Sequence, residues 1–135
     1  KALVAGLYSC RAFGYGVASR LEGNIKLGSE ELLPAKYLAT GFLAIHREVL
    51  HKVKNTRNYE TGVNEFKIGD QGPYWGFFEP KIYINEYLSE DWSFSLRVEW
   101  VGQEQYIYSK PRLKHYGTYG FTVEDGLDTK RGRSE

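Results

Sequence analysis

The sequence predicts an α/β protein in which short buried strands alternate with flanking helices. Two observations carry this expectation. Apolar runs of strand length recur at residues 3–8, 39–45 and 106–108. Between them lie stretches with helix signals, at residues 46–53 and 89–101. With 135 residues, one domain able to bury a core is expected.

Residues 3–8 form an apolar run marked by Gly6 and Ser9, as a buried strand requires. Residues 13–18 are Gly-rich and read as a strand edge or loop. Their two glycines point to backbone flexibility or to the close approach of another group. No Gly-Lys-Ser/Thr follows, so this is not a phosphate-binding loop. Turn signals at residues 23–28 suggest a hairpin, and residues 39–45 a second buried strand. Val49, Leu50 and Val53 have the spacing of a short amphipathic helix. Residues 55–62 are polar and aperiodic, which predicts a mobile loop; residues 66–68 predict a short strand. Residues 70–80 place four aromatics between turn residues and read as a loop.

Residues 89–101 carry two conflicting signals. Trp92, Phe94, Leu96, Val98 and Trp100 alternate with polar residues, which is the strand period. Ser89 is a good N-cap, Glu90 and Asp91 suit the first turn of a helix, and Gly102 suits its end. We read a helix buried on two faces. Tyr106, Ile107 and Tyr108 predict a strand stopped by Pro111. Residues 122–135 are charged and nearly free of apolar side chains, which predicts a frayed, flexible tail.

Eighteen basic and 17 acidic residues leave a net charge of +1, against a dedicated nucleic-acid binder. The single cysteine, Cys10, excludes an intramolecular disulfide and a cysteine-rich zinc site. No apolar run reaches the length of a membrane span, and no signal-peptide pattern opens the chain, so the expected location is the cytoplasm. Eleven Tyr, seven Phe and three Trp suit either a tyrosine-rich core or flat surfaces offered to sugars or partners. The chain starts at Lys1, contains no Met and enters a strand-like run at once, so a piece of a longer protein is expected.

Two segments carry chemistry. Tyr87-Leu88-Ser89-Glu90-Asp91-Trp92 sets a pair of carboxylates beside aromatics at an element start, and Lys114-His115-Tyr116-Gly117 returns an imidazole. A carboxylate can take the proton of an attacking hydroxyl, and an imidazole can hold a metal. The same residues also serve plainer ends, the acids as helix N-terminal charge and the histidine as a structural or surface group. Arg11, Arg20 and Lys26 are candidates to face a phosphate, or are solvated surface charge.

Three stretches together resemble the C-terminal half of GT-A glycosyltransferases, in particular the family-2-like enzymes. They are Thr40-Gly41-Phe42-Leu43-Ala44-Ile45-His46-Arg47-Glu48-Val49-Leu50, then Tyr87-Leu88-Ser89-Glu90-Asp91-Trp92-Ser93-Phe94, then Leu113-Lys114-His115-Tyr116-Gly117. The opening Val4-Ala5-Gly6-Leu7-Tyr8 is similar to the strand that follows the metal-binding Asp-x-Asp segment of that family. The resemblance spans most of residues 1–121 and rests on the order and spacing of the motifs.

It implies a mixed sheet with flanking helices, part of a Rossmann-like GT-A domain, and transfer of a sugar from a nucleotide-sugar donor to a carbohydrate or other hydroxyl acceptor. Asp91 would be the base, with Glu90 beside it. His115 would join in binding a divalent metal, Mn²⁺ or Mg²⁺. Thr40 and Gly41 would line the floor of the site, and Tyr74, Trp75 and Trp92 would meet substrate. The chain departs from the family pattern in having no Asp-x-Asp. The nucleotide-binding half is therefore expected upstream of Lys1, and the piece alone is expected to be inactive. Residues 1–121 would be the acceptor-side part of the domain. The missing half would leave an exposed sheet and favour homo-oligomers. The alternative reading is a non-catalytic carbohydrate-binding or protein-interaction module.

Overall fold

Leu3–Gly6 (β1) is an inner strand of a five-stranded sheet, and its inward residues Leu3 and Ala5 are fully buried. The structure, a computed structural model, describes residues 1–56 and 62–130. The predicted mobile loop at 55–62 lies mostly outside them. Arg20–Leu21 (β2), Leu32–Tyr37 (β3), Leu43–Ile45 (β4) and Gln105–Tyr108 (β9) complete the sheet, in the order β2-β3-β9-β1-β4. Three two-stranded ribbons surround it: Glu65–Ile68 with Gln71–Trp75 (β5, β6), Lys81–Tyr83 with Glu86–Leu88 (β7, β8), and His115–Tyr116 with Gly120–Phe121 (β10, β11). The helices are Arg47–Asn55 (α1), Glu90–Trp100 (α2) and Val123–Leu127 (α3). The protein is thus a mixed α/β fold with a mixed sheet. Among the described residues no helix is long and apolar enough to cross a membrane.

β1 pairs with β9 in parallel, Leu3 opposite Gln105 and Gly6 opposite Tyr108, and antiparallel with β4. One face of the sheet carries the core. Leu3, Ala5, Leu33 and Ile107 meet Val49 and Val53 of α1 and Phe94 and Val98 of α2. On β3, Leu33, Ala35 and Tyr37 are buried while Pro34 and Lys36 are exposed, the period-two pattern of a half-buried strand. On the opposite face, Val4, Phe42, Leu43, Ala44 and Tyr108 line an open apolar groove of about 310 Å³.

The conflict over residues 89–101 resolves as a helix, for a reason internal to the core. Ser93 to Val98 are all buried, so the polar members of the alternation do not face water. The Ser93 hydroxyl donates to Leu88 O at 3.0 Å, and Ser95 Oγ accepts from Leu38 N at 2.9 Å. Arg97 donates through Nη1 to Phe77 O at 3.0 Å and to Glu79 O at 2.9 Å. Buried polar groups are tolerated when bonded, and here they tie α2 to three neighbouring segments. Gly102 follows the helix at φ +69°, the left-handed conformation of a C-terminal stop.

Three expectations need correction. Residues 39–45 are not one strand: Thr40–Phe42 is a 3₁₀ turn, and only Leu43–Ile45 pairs. Residues 70–80 are not all loop, because Gln71–Trp75 pairs with β5, Phe66 opposite Tyr74. The tail expected from 122 onward begins instead with α3. Thr122 and Asp125 bond reciprocally in a capping box, and Gly14 N and Gly16 N donate to Asp125 O and Gly126 O at 3.0 and 2.7 Å. Gly126 is required there, since a Cβ would lie 2.3 Å from Gly16 O.

Arg97→Ala is expected to cost about 2–5 kcal/mol in denaturant unfolding, since two buried carbonyls lose their donor. It should also open residues 77–80 to limited proteolysis. Unchanged stability and cleavage would show that the arginine does not hold that segment.

Candidate functional site

β1 and β9 run in parallel, so their carboxyl ends leave the sheet on the same side. The segment after β1 delivers Tyr8, Ser9 and Arg11 there. The segment after β9 turns at Pro111 and delivers His115. Leu7 N donates to Tyr108 O at 3.3 Å and carries the pairing one step further toward this end.

His115 is held on both sides. Its Nδ1 lies 2.9 Å from Ser9 O, and its Nε2 lies 2.9 Å from Arg11 Nε. A carbonyl can only accept and a guanidinium can only donate, so Nδ1 carries the proton and Nε2 offers its lone pair. A backbone carbonyl fixing one nitrogen is how metal-ligating histidines are oriented. Arg11 sits where a cation on Nε2 would sit, so the two would compete. Among the described residues no three His, Cys, Asp or Glu side chains gather as a metal cluster.

Tyr8 connects the group. Its ring meets His115 edge-on at 5.2 Å between centroids, and its hydroxyl accepts from Gly41 N at 2.9 Å. That bond explains the 3₁₀ turn at Thr40–Phe42, and a Cβ on Gly41 would lie 2.6 Å from the Tyr8 hydroxyl oxygen. Burial raises the Tyr8 phenol above its ordinary pKa; the Gly41 N–H works against this, and the nearby charge of Asp91 adds to it. Asp91 thus acts electrostatically on the tyrosine that touches His115.

Asp91 is half-buried in the first turn of α2. Its Oδ1 accepts from Trp92 N at 2.9 Å and from the Ser89 hydroxyl. Ser89 occupies the N-cap position but does not cap through its own side chain. Both bonds fall on Oδ1.

The other predicted residues divide. Gly41 belongs to the group through its backbone, with Thr40 beside it. Glu90 is exposed on the first turn of α2. Trp92, expected at the substrate, instead stacks on Tyr37 at 4.6 Å and 12° in the cluster with Leu88 and Leu96. Tyr74 lies against Phe66 at 5.8 Å on the β5–β6 ribbon, and Trp75 carries the Lys54 ammonium 3.7 Å from its ring centre. Those ring contacts are with Phe66 and Lys54, not with Tyr8, Asp91 or His115. Lys26 pairs with Glu31 at 3.3 Å and Arg20 is exposed, as surface charge. Tyr8 and Ser9 were missed by sequence reading. Their one signal was position, directly beyond the carboxyl end of a predicted strand.

No protein-family model matches the chain, no curated protein matches it in sequence, and no solved structure matches it.

Two measurements check this geometry. Long-range ¹H–¹⁵N spectra are expected to show His115 protonated at Nδ1 and bare at Nε2; the opposite tautomer would contradict the Ser9 and Arg11 contacts. Because the folded Tyr8 pKa lies above the unfolded 10.0, its neutral form contributes stability that is full below pH 10.0 and is lost as pH rises through the folded value. Tyr8→Phe is expected to shrink that alkaline loss and to remove one late step from the ultraviolet tyrosinate titration. Burial likewise raises Tyr37, so a second late step should remain.

Proposed function

We propose that this chain carries the acceptor side of an inverting glycosyltransferase site on a GT-A-like frame, moving a sugar from a nucleotide-sugar donor to an acceptor hydroxyl. The observation that supports it is the packing of the His115 imidazole on Tyr8 at the carboxyl ends of the parallel pair β1 and β9, with the Asp91 carboxylate close enough to raise the Tyr8 pKa. Ligands of open α/β sheets bind outside those ends.

In this reading Asp91 Oδ2 takes the proton of the acceptor hydroxyl as its oxygen forms the bond to the anomeric carbon. The bond from that carbon to the diphosphate oxygen breaks with its electron pair, and the configuration inverts. The bonds to Oδ1 hold the carboxylate in its orientation. A divalent cation would supply charge neutralisation on the leaving diphosphate. His115 Nε2 would be its ligand from these residues, with Arg11 turned away from that nitrogen. The Arg11 guanidinium, once released, is a natural partner for an anionic oxygen.

Asp91→Asn, assayed in the full product of the gene with a nucleotide-sugar panel and Mn²⁺, is expected to lower transfer by about 10²–10⁴-fold while circular dichroism stays unchanged. Retained turnover would take Asp91 out of the mechanism. The chain of 135 residues assayed by itself is expected to transfer nothing and to bind Mn²⁺ weakly in calorimetry. Tight one-to-one binding would contradict a one-ligand site.

A further inference from the structure

We propose that the shallow cradle formed by β6 and the segment after it is a saccharide-binding platform, on which the acceptor glycan lies. Only its role as an acceptor subsite rests on the transferase reading; its capacity to hold sugar does not. The cradle encloses about 420 Å³ and is walled by Phe66, Trp75 and Phe78, with Glu79 and Pro80 at its side. Phe66 and Phe78 are 41% and 40% exposed, a large aromatic area to leave in water.

Flat rings stack on the C–H faces of a pyranose, and carboxylate and amide groups bond its hydroxyls. Both kinds of group are present. Glu79 folds back over Gly76, where a Cβ would lie 2.5 Å from the carboxyl carbon, and its Oε2 accepts from Asn64 Nδ2 at 2.8 Å. The pair presents a planar donor and acceptor array beside the rings. A nucleic-acid backbone would be repelled by Glu79, and an apolar peptide would bury the Glu79–Asn64 pair with its remaining hydrogen-bonding capacity unmet. A neutral polyhydroxyl ligand satisfies both the rings and the carboxylate.

The cradle is also built rigid. Arg97 grips the carbonyls of Phe77 and Glu79 from inside the core, and the Phe78 ring rests on Phe94 at 4.5 Å. Gly76 N donates to Asn64 O at 2.9 Å and ties the segment to the start of the ribbon. A buried arginine is a costly way to fix a surface segment, and fixing it in advance lowers the ordering cost of a weak ligand. Phe94 lies three residues after Asp91, on the same side of α2. The platform is thus joined, through Phe78 on Phe94, to the helix whose first turn carries the proposed base.

The test is binding without donor or metal. Cellohexaose, maltohexaose and chitohexaose are titrated by calorimetry and by tryptophan fluorescence into the wild-type protein and into Phe66→Ala, Trp75→Ala, Glu79→Gln and Ile82→Ala, with circular dichroism for each. At least one hexasaccharide is expected to bind. Phe66→Ala and Trp75→Ala should weaken it by about tenfold or more, while Ile82→Ala on the neighbouring ribbon should not. If the aromatic variants lose their fold, Glu79→Gln decides: weaker binding supports the platform, unchanged binding overturns it. No binding of any of the three to the wild type, or binding that survives both aromatic substitutions, overturns it. Asp91→Asn should bind the saccharide normally. Saccharide held at the cradle, with no transfer from any donor by the full product of the gene, would remove the transferase reading and leave the platform standing.

Discussion

The parallel pairing of β1 with β9 is the constraint on which the site depends. Leu3 opposite Gln105 and Gly6 opposite Tyr108 fix where both strands end. Because those ends coincide, residues more than a hundred positions apart in sequence meet: Ser9, Arg11 and Tyr8 with His115. A slip of one residue in this register would turn Leu3 and Ala5 out of the core and separate Ser9 O from the imidazole. The burial that fixes the register and the contacts that form the site are therefore one energetic unit.

The second organising element is α2. It is buried on nearly every side, and its polar residues are the fasteners. Ser93, Ser95 and Arg97 face inward, each bonded to a different segment, so the start of the helix, with Asp91, is held against the sheet. The same helix fixes the aromatic segment through Arg97 and Phe94. One rigid rod thus relates the carboxylate to the aromatic surface.

This explains what the sequence could and could not reveal. The centres of β1 and β9, α1 and the ends of α2 were legible, because burial and capping there follow local residue patterns. The middle of α2 was ambiguous because its serines and arginine look solvent-facing in a periodicity argument but bond to neighbouring segments inside. The 3₁₀ turn at Thr40–Phe42 was hidden because its cause is a hydroxyl 33 residues away. α3 was hidden because its stability comes from a capping box and from loop amides at Gly14 and Gly16, not from an apolar stripe. Asp91 and His115 were legible as residue types, and Gly41 as a neighbour. Tyr8 and Ser9 were not, because a tyrosine and a backbone carbonyl carry no chemical motif of their own. Trp92 misled for the opposite reason: an aromatic beside an acidic pair reads as a substrate contact but packs on Tyr37.

The proposed function requires Asp91 and His115 to share one cleft. Paramagnetic broadening by dilute Mn²⁺ reads this in a single spectrum, since weak binding suffices and the effect falls steeply with distance. The account predicts that the His115 ring broadens first, and that the backbone amides of Gly41 and Trp92 broaden with it, ahead of the exposed His46 and His51. Broadening centred on His46 or His51, with Gly41 and Trp92 unaffected, would contradict it.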